Sequence, residues 1–380
     1  MNRRAVAAVL SATLLAGACG TAPAEQPVLP QGPASSGVSA TATPVDTLTV
    51  VATGDVLIHP ALTEQAAREA GENAGPDDFD YGPLLEGVRP LVSKADLALC
   101  HLEVPLAREG GPYSGYPQFS APPELADALA RVGYDGCSTA SNHVLDQGEE
   151  GVVSTLDALD GAGLEHTGSA RTEQESVTPL VVDVGGVRLG HVSYTFGFNG
   201  IATPPDKPWL SNELDADAIV AEARAAREAG AEVVIVSVHW GQEYVHEPTE
   251  EQRALARRLL DEEAIDVLVG HHAHVVQPIE RIGDKWVAYG LGNSVARHAE
   301  PRGVSEEGIA VRLRFTRVHG DWVVDGIEYI PTLVELGPPI RLIDLTTAEP
   351  TPRRTEALRR TDQIVLSRGG AEHGLSRPGR

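Results

Sequence analysis

Aromatic side chains are scarce in this chain, at 4% of its 380 residues, so its core must be built mainly from Val, Leu, Ile and Ala. Basic residues are also few, because 30 Lys and Arg face 54 Asp and Glu and leave a net charge of −24. Such a surface repels phosphate backbones, which excludes nucleic-acid binding through a basic groove. An anionic substrate would need a local positive centre, which a metal cluster supplies, although solubility alone also explains the acidity.

Several catalytic motifs are missing as well. The chain has three cysteines, which indicate no cysteine metal site. Export would permit a disulfide, but two cysteines, Cys100 and Cys137, give no framework, so we expect buried free thiols there. Ser141 lacks the Gly-x-Ser-x-Gly frame of a serine hydrolase. Residues 289–293 contain closely spaced glycines without a phosphate-loop lysine, which argues against a nucleotide site.

The N-terminus indicates export. Two arginines precede an apolar run over residues 5–16 that is too short to span a bilayer as a mature helix. Small residues before Cys19 resemble a bacterial lipobox, so we expect a lipoprotein signal peptide over residues 1–19 with Cys19 acylated. The alternative is an ordinary cleaved signal peptide followed by a chance cysteine. Residues 20–45, rich in Pro, Ala, Ser, Thr and Gly, predict a flexible tether that holds the domain on the extracytoplasmic face of the membrane.

Beyond the tether, apolar strand-like runs alternate with helical patterns, which predicts an α/β protein with strands covered by helices. The clearest predicted strands are Thr47–Thr53, Asp96–Cys100, Glu232–Val238 and Ile265–Val269, and the clearest hairpin is Leu180–Val192. A helix is predicted from Glu149 to Leu159, closed by Gly161. Residues 336–380 are expected to form a C-terminal extension, with a helix over Thr355–Leu366 and a disordered tail from Arg368.

Polar side chains follow the predicted strands at their ends, where ligand sites form in α/β folds. They are Asp55, Glu103, Asn142 with His143, His239, and His272 with His274. Carboxylate, amide and imidazole ligands together suit Mn, Fe or Zn better than Ca or Mg alone. Two such ions about 3.5–4 Å apart would polarise a phosphoryl oxygen and activate water.

Single members of this set have plainer interpretations. Asp55 suits a turn or a helix N-cap, Glu103 the surface, and His239 a hydrogen-bonded core position. His59 either reaches the site or lies on the surface. The set as a whole favours the metal site, in which His143 would protonate a leaving oxygen and Asp146 would orient its imidazole.

These segments resemble, in order, the motifs of the CapA family, the bacterial capsule or poly-γ-glutamate synthesis proteins. The matching segments are Thr53–Leu57, His101–Leu106, Ser141–Gly148, Val238–Tyr244, Gly270–Gln277 and Tyr289–Asn293. The resemblance implies a calcineurin-like phosphoesterase core, a single four-layer α/β/β/α metallophosphatase-like sandwich over residues 46–335. It also implies that His143 is the catalytic imidazole and that one or two divalent ions bind six ligands, namely Asp55, Glu103, Asn142, His239, His272 and His274.

The chain departs from related patterns at two positions. His101 stands where the family usually has Asn, and it is either an extra ligand or points away. Val56 and Leu57 follow Asp55, where typical metallophosphatases have Asp-x-His.

The resemblance implies a surface lipoprotein that hydrolyses a phosphoester, or an amide, in an anionic envelope polymer. Tyr244 and Asn293 are candidates for touching substrate, although Asn293 also suits a turn. The alternative is a non-catalytic polymer-handling subunit. Its partners would be membrane synthase and export proteins.

Overall fold

The computed structural model describes residues 46–72, 74–75 and 78–379. The predicted signal peptide, the acylation site at Cys19 and the predicted tether lie outside these residues. The strands are β1 (Thr47–Val56), β2 (Leu97–Leu102), β3 (Gly136–Ser138), β4 (Glu165–Thr167), β5 (Leu180–Val184), β6 (Val187–Thr195), β7 (Val233–His239), β8 (Val267–His271), β9 (Ile279–Ile282), β10 (Lys285–Ala288), β11 (Asn293–Val295), β12 (Glu307–Val318), β13 (Asp321–Glu335) and β14 (Arg341–Asp344). The α-helices are α1 (Pro60–Glu69), α2 (Gly82–Leu85), α3 (Arg89–Val92), α4 (Glu124–Val132), α5 (Gly148–Ala162), α6 (Glu173–Ser176), α7 (Ala216–Glu228), α8 (Glu250–Leu260) and α9 (Pro352–Val365).

Within these ranges the strands form two sheets. The first has the order β14-β13-β12-β1-β2-β3-β4, with β11 also paired to β1, and the second has the order β5-β6-β7-β8-β10-β9. Strands β1 to β4 are parallel to one another, as are β6, β7, β8 and β10. The carboxyl ends of both parallel sets are therefore available for a site.

The period-two alternation of the strands divides the interior into layers. Val50 of β1 and Ile235 of β7 belong to the core between the two sheets. Val51 faces the other way, into a core built with α4 and α5, while Val236 faces a third core built with α7 and α8. This arrangement is the predicted four-layer α/β/β/α sandwich, so the predicted fold class is confirmed.

Helix boundaries follow capping chemistry. Helix α8 begins with a full capping box, in which the Thr249 side chain accepts from Gln252 N and the Gln252 side chain accepts from Thr249 N. The predicted end of α5 at Gly161 is wrong, because the helix continues to Ala162 and ends at Gly163, whose φ of 74° suits a glycine. No helix among the described residues is long and apolar enough to cross a membrane.

The predicted disordered tail from Arg368 and the domain boundary at residue 335 are both wrong. Strand β14 pairs with β13, so the first sheet continues past residue 335. Leu375 is buried in the core between the sheets, and Arg377 Nε lies 3.0 Å from Asp362 Oδ1 of α9. A polar sequence concealed this packing, because ion pairs of Arg368 and Arg377 and backbone hydrogen bonds between Ser376 and β13 hold the segment together with Leu375.

The expectation of two free thiols is also wrong. Cys100 of β2 and Cys137 of β3 lie directly opposite each other in the parallel register, with their Cα atoms 4.4 Å apart, and form a disulfide. Two cysteines on neighbouring strands need only this register to pair. Sequence spacing did not reveal it, because the pair is 37 residues apart.

Gly54 sets how closely β1 approaches the chain before β11. A Cβ at this position would lie 2.0 Å from Gly292 O. We expect Gly54→Ala to lower the free energy of unfolding by about 1–3 kcal/mol, because backbone must move to admit the methyl group. The measurement is urea unfolding.

Gly161 is the matched control for this change. It lies inside α5, and a Cβ there would meet nothing within 4 Å. Gly161→Ala should stabilise the protein by about 0.5–1 kcal/mol. Equal changes in the free energy of unfolding for Gly54→Ala and Gly161→Ala would contradict the close approach of the Gly54 backbone to Gly292.

Candidate metal centre

The predicted site residues from both sheets converge at the carboxyl ends of the parallel strands. Asp55 lies near the end of β1, in register with His101 of β2 and with Asn293 of β11. In the second sheet, His239 ends β7 and is in register with His271, which ends β8. The first sheet thus supplies mostly carboxylates and the second mostly imidazoles.

Asp55 joins the two sheets. Its side chain is fully buried and accepts hydrogen bonds from His271 Nδ1 and His272 N, both at 3.1 Å. His274 Nδ1 lies 3.3 Å from its Oδ2. Burial alone would raise the pKa of Asp55, but hydrogen bonds from His271 and His274 hold it well below its usual value. The carboxylate is therefore charged and fixed in direction.

The Glu103 carboxylate is also fully buried, and neither oxygen has a hydrogen-bond partner among the described residues. The nearest cationic group is His274 Nε2, 3.5 Å from Oε1. Burial raises the pKa of Glu103 to about 7 despite this attraction. Burial would lower the pKa of His274, but the attraction of Glu103 and Asp55 raises it to about 10. Buried carboxylate oxygens without donors are a strong indication of an absent ligand.

Asn142 and His239 meet on the other side of this cluster. His239 Nε2 lies 2.9 Å from Asn142 Oδ1, and the Asn142 amide donates to Asn199 Oδ1 at 3.2 Å. The His239 ring centroid is 4.8 Å from that of His272. Burial lowers the pKa of His239 well below its usual value and that of His272 to about 3, so both rings are neutral, as metal ligands must be.

His143 and Asp146 form a pair beside the cluster. Nδ1 of His143 lies 2.7 Å from Asp146 Oδ2, which also accepts from Phe119 N at 2.8 Å. The His143 ring packs edge-on against Phe119. The carboxylate therefore fixes the ring orientation and leaves Nε2 as the nitrogen that can exchange a proton with a substrate.

Backbone strain marks the second sheet's contribution. His272 and His274 adopt positive φ angles of 85° and 53°, which are uncommon for residues other than glycine. Such conformations persist where the surroundings determine them, and they occur often at functional sites. Here they place the two imidazoles side by side, with ring centroids 5.9 Å apart, and His274 faces Asp55 and Glu103.

The two residues predicted to touch substrate have different surroundings. Tyr244 is partly exposed, with its ring centroid 5.9 Å from that of His274 and the Arg302 guanidinium 3.9 Å from its own. Asn293 is fully buried, contacts His274 Nδ1 through Oδ1 at 3.0 Å and donates to Ser305 O at 2.8 Å. Both ends of the Asn293 amide thus face protein atoms and support His274, and its contact with substrate stays a prediction.

Two residues near the centre, His271 and Glu243, were not assigned from sequence, and the role of His101 was left open. His271 contacts Asp55, and His101 stacks on His271 with ring centroids 4.0 Å apart. Glu243 is exposed but can approach His272 and His274, with ligand atoms within 4.8 Å of one another. His59, which was left open, is buried and packs against Phe119. The His-His-x-His spacing and the Glu-Tyr pair were the available signals for His271 and Glu243.

The residues present fit a divalent metal. Groups of donors with ligand atoms within 4.8 Å of one another include Asp55 with Glu103 and His274, and Glu243 with His272 and His274. The two buried carboxylates concentrate negative charge, and within the described residues the protonated His274 ring faces both of them. Oxygen and imidazole donors together suit Mn, Fe or Zn.

A family model described as "Bacterial capsule synthesis protein PGA_cap" matches residues 49–298. The chain belongs to this family. All residues of the candidate centre lie inside the matched range. The predicted resemblance to capsule and poly-γ-glutamate synthesis proteins is therefore confirmed.

Individual PGA_cap relatives match parts of the chain. The capsule biosynthesis protein CapA of Bacillus anthracis is 32% identical over 181 residues, which cover 46% of this chain and 43% of the relative. The PGA biosynthesis protein CapA of Bacillus subtilis is 30% identical over 174 residues, 45% of each chain. A probable polyglutamine synthesis accessory protein of Mycobacterium tuberculosis is 29% identical over 286 residues, 66% of this chain and 74% of the relative. The chain thus matches less than half the length of both Bacillus relatives.

Among solved structures, similar chains include a phosphatase of Mycoplasma pneumoniae, with a TM-score of 0.48 and 12% identity over 82% of this chain and 97% of that one. A calcineurin-like phosphoesterase of Bacillus subtilis has a TM-score of 0.47 and 14% identity over 84% and 98%.

The charged form of Glu103 should destabilise the fold when no metal is bound. The pKa of Glu103 is about 7 in the folded state, above its unfolded value of 4.5. The fold is therefore most stable with respect to this group below pH 4.5, where Glu103 is protonated, and that stability is lost as pH rises through 7. We expect metal-free Glu103→Gln to match wild type near pH 4.5 and to exceed it at pH 8 by on the order of 1–3 kcal/mol. Urea unfolding at the two pH values with chelator present measures this.

Added Mn²⁺ should make wild type more stable than Glu103→Gln at pH 8. Bound metal stabilises wild type by about 2.7 kcal/mol when the metal is in hundredfold excess over Kd. Glu109→Gln, at an exposed glutamate nearby, should change neither result. A metal-free Glu103→Gln protein that is less stable than wild type at pH 8 would contradict this account.

Proposed function

We propose that this PGA_cap protein is an exported, lipid-anchored, metal-dependent hydrolase of the phosphoesterase type that acts on an anionic envelope polymer. One observation carries the proposal: a buried carboxylate–imidazole cluster with unpaired Glu103 oxygens lies beside the His143–Asp146 pair. A cluster of this kind without a catalytic neighbour would suit storage or structure. The adjacent imidazole favours chemistry.

The residues of the centre would have two roles, metal binding and proton transfer. Asp55, Glu103, Asn142, His239, His272 and His274 would hold one or two Mn, Fe or Zn ions. Such ions polarise a phosphoryl oxygen and lower the pKa of water when bound. His143 would deliver a proton from Nε2 to the leaving oxygen, while Asp146 keeps the other nitrogen protonated and the ring in place.

The rim of the centre supports an anionic substrate. Arg302 lies over Tyr244 on the His274 side. On the His239 side, Phe196 is 45% exposed, and its ring centroid is 4.5 Å from that of His272. The chain carries a net charge of −24, so Arg302 and the bound ions would supply the positive field that an anionic substrate needs.

The N-terminal sequence and the cysteines support the proposed location. The lipobox-like stretch before Cys19 supports acylation there and anchoring on the extracytoplasmic face. The disulfide between Cys100 and Cys137 supports the same location, because disulfides persist outside the reducing cytoplasm. Membrane synthase and export proteins for the polymer are the partners we propose.

The second candidate function is non-catalytic handling of the polymer by the same fold. It is favoured by Leu57, a buried apolar residue at the position where Asp-x-His phosphatases place a ligand. In that case the centre would hold polymer carboxylates through its ions without turnover. Hydrolysis assays separate the two functions.

Loss of His143 should remove turnover but not metal. With Mn²⁺ and bis-p-nitrophenyl phosphate, we expect His143→Ala to lower kcat by about 10²–10⁴-fold, because the leaving oxygen loses its proton donor. Asp146→Asn should give a smaller loss. Metal content, measured by elemental analysis, should equal that of wild type.

His166 of β4 provides the control, since it forms the same kind of His–Asp pair with Asp160 of α5. His166→Ala should leave kcat unchanged. Absence of turnover in metal-loaded wild type would reject the hydrolase and favour the polymer-handling function.

Acylation at Cys19 is tested by cell fractionation. We expect Cys19→Ala to move the protein from the membrane fraction to the soluble fraction of a bacterial host, because the lipid is its only proposed anchor. Ala18→Gly keeps a small residue before the cysteine and should leave the protein with the membranes. An unchanged distribution of Cys19→Ala would favour the cleaved-signal alternative.

A further inference from the structure

His101 lies inside the candidate metal centre, and both of its ring nitrogens have hydrogen-bond partners. Its Nδ1 lies 2.8 Å from Ser138 Oγ, and its Nε2 lies 2.9 Å from His239 Nδ1. The ring is fully buried and stacks on His271 with an interplanar angle of 16°. The ligand atoms of His101, Asp55 and His271 lie within 4.8 Å of one another, but His101 could bind an ion there only by giving up one of its two hydrogen bonds. Its contact with His239 Nδ1 suggests that it orients that ring.

The hydrogen bonds form one continuous chain, since His239 Nε2 in turn lies 2.9 Å from Asn142 Oδ1. A neutral imidazole carries one N–H and one lone pair, so the donors along such a chain must all point the same way. In one direction Ser138 donates to His101, His101 donates to His239, and His239 donates from Nε2 to Asn142. Every polar atom of the chain is then satisfied without a metal, but His239 has no lone pair to offer.

The opposite direction is also available. Ser138 Oγ lies 3.4 Å from Cys100 O and can donate there. Its oxygen then accepts from His101 Nδ1, and His101 Nε2 accepts from His239 Nδ1. In this state His239 Nε2 and Asn142 Oδ1 present lone pairs to each other at 2.9 Å. That contact is unfavourable unless both atoms bind the same cation. Both directions hold the same number of protons.

We propose that Ser138, His101 and His239 form a relay whose hydrogen bonds reverse when a divalent cation binds, with His101 as the positioning residue for His239. The inference rests on the proposed metal centre and adds a role that the ligand set does not contain. Metal-ligating histidines almost always donate their other N–H to a fixed acceptor. His101 Nε2 is that acceptor here.

The relay is tested directly by long-range ¹H–¹⁵N NMR of the histidine rings in the full chain. Without metal, we expect the His239 proton on Nε2. With Zn²⁺, we expect it on Nδ1, and the His101 proton on Nδ1 as well. A His239 ring that keeps the same tautomer in both states would overturn the relay while leaving the metal centre intact. Failure of Zn²⁺ to bind would overturn both.

Substitutions give a second measurement, the Zn²⁺ dissociation constant by calorimetry. His101→Leu should weaken binding about 10–100-fold, the range for such supporting residues. His101→Gln places an amide oxygen near the position of Nε2 and should bind more tightly than His101→Leu. Ser138→Ala should give a smaller loss, and adding it to His101→Leu should cost little more, because both act through one chain.

Ser169 is the control hydroxyl, buried and bonded to Thr139 Oγ1 at 2.6 Å instead of to an imidazole. Ser169→Ala should leave the dissociation constant unchanged. Wild-type affinity in folded His101→Leu would overturn the proposal. If that variant fails to fold, wild-type affinity in Ser138→Ala together with an unchanged His239 tautomer would do the same.

Discussion

Two carboxylates, Asp55 and Glu103, are withdrawn from water where the parallel strands end, and the organisation of the centre follows from this placement. A buried charge is costly unless it is paired. Asp55 meets this requirement with donors from β8 and the following loop. Glu103 meets it only in part, because His274 Nε2 lies 3.5 Å from its Oε1 but neither carboxylate oxygen accepts a hydrogen bond within the described residues. The protein therefore maintains an incomplete electrostatic arrangement, which is a property of binding sites more than of structural cores.

The remaining architecture holds this arrangement in place. The inner core between the sheets fixes their separation, and the close backbone approach at Gly54 brings β1 against the segment that leads to Asn293. Asn293 in turn contacts His274, whose left-handed backbone aims its ring at the carboxylates. Strain in this loop is tolerated because contacts on both sides determine its conformation. Contacts made by residues outside the proposed ligand set thus fix the direction of the His274 ring.

Much of this was accessible from sequence. Apolar runs ending in polar residues identified the strand ends, and Asp55, Glu103, His143 and His274 meet as that pattern predicts. What escaped prediction depends on register or on long-range contacts. The pairing of Cys100 with Cys137 needs the β2–β3 alignment. The inward-facing role of Asn293 and the ordering of the C-terminal segment needed the packed structure, because neither has a local sequence signal.

The centre draws its donors from distant parts of the chain, with carboxylates before residue 104 and most imidazoles after residue 238. A growing polypeptide therefore possesses no complete coordination environment until nearly three quarters of its length has been made. Selection among competing ions is deferred to the finished fold, in whichever compartment that fold is reached. The ion that the protein carries would then reflect the metal supply of the compartment in which folding finishes.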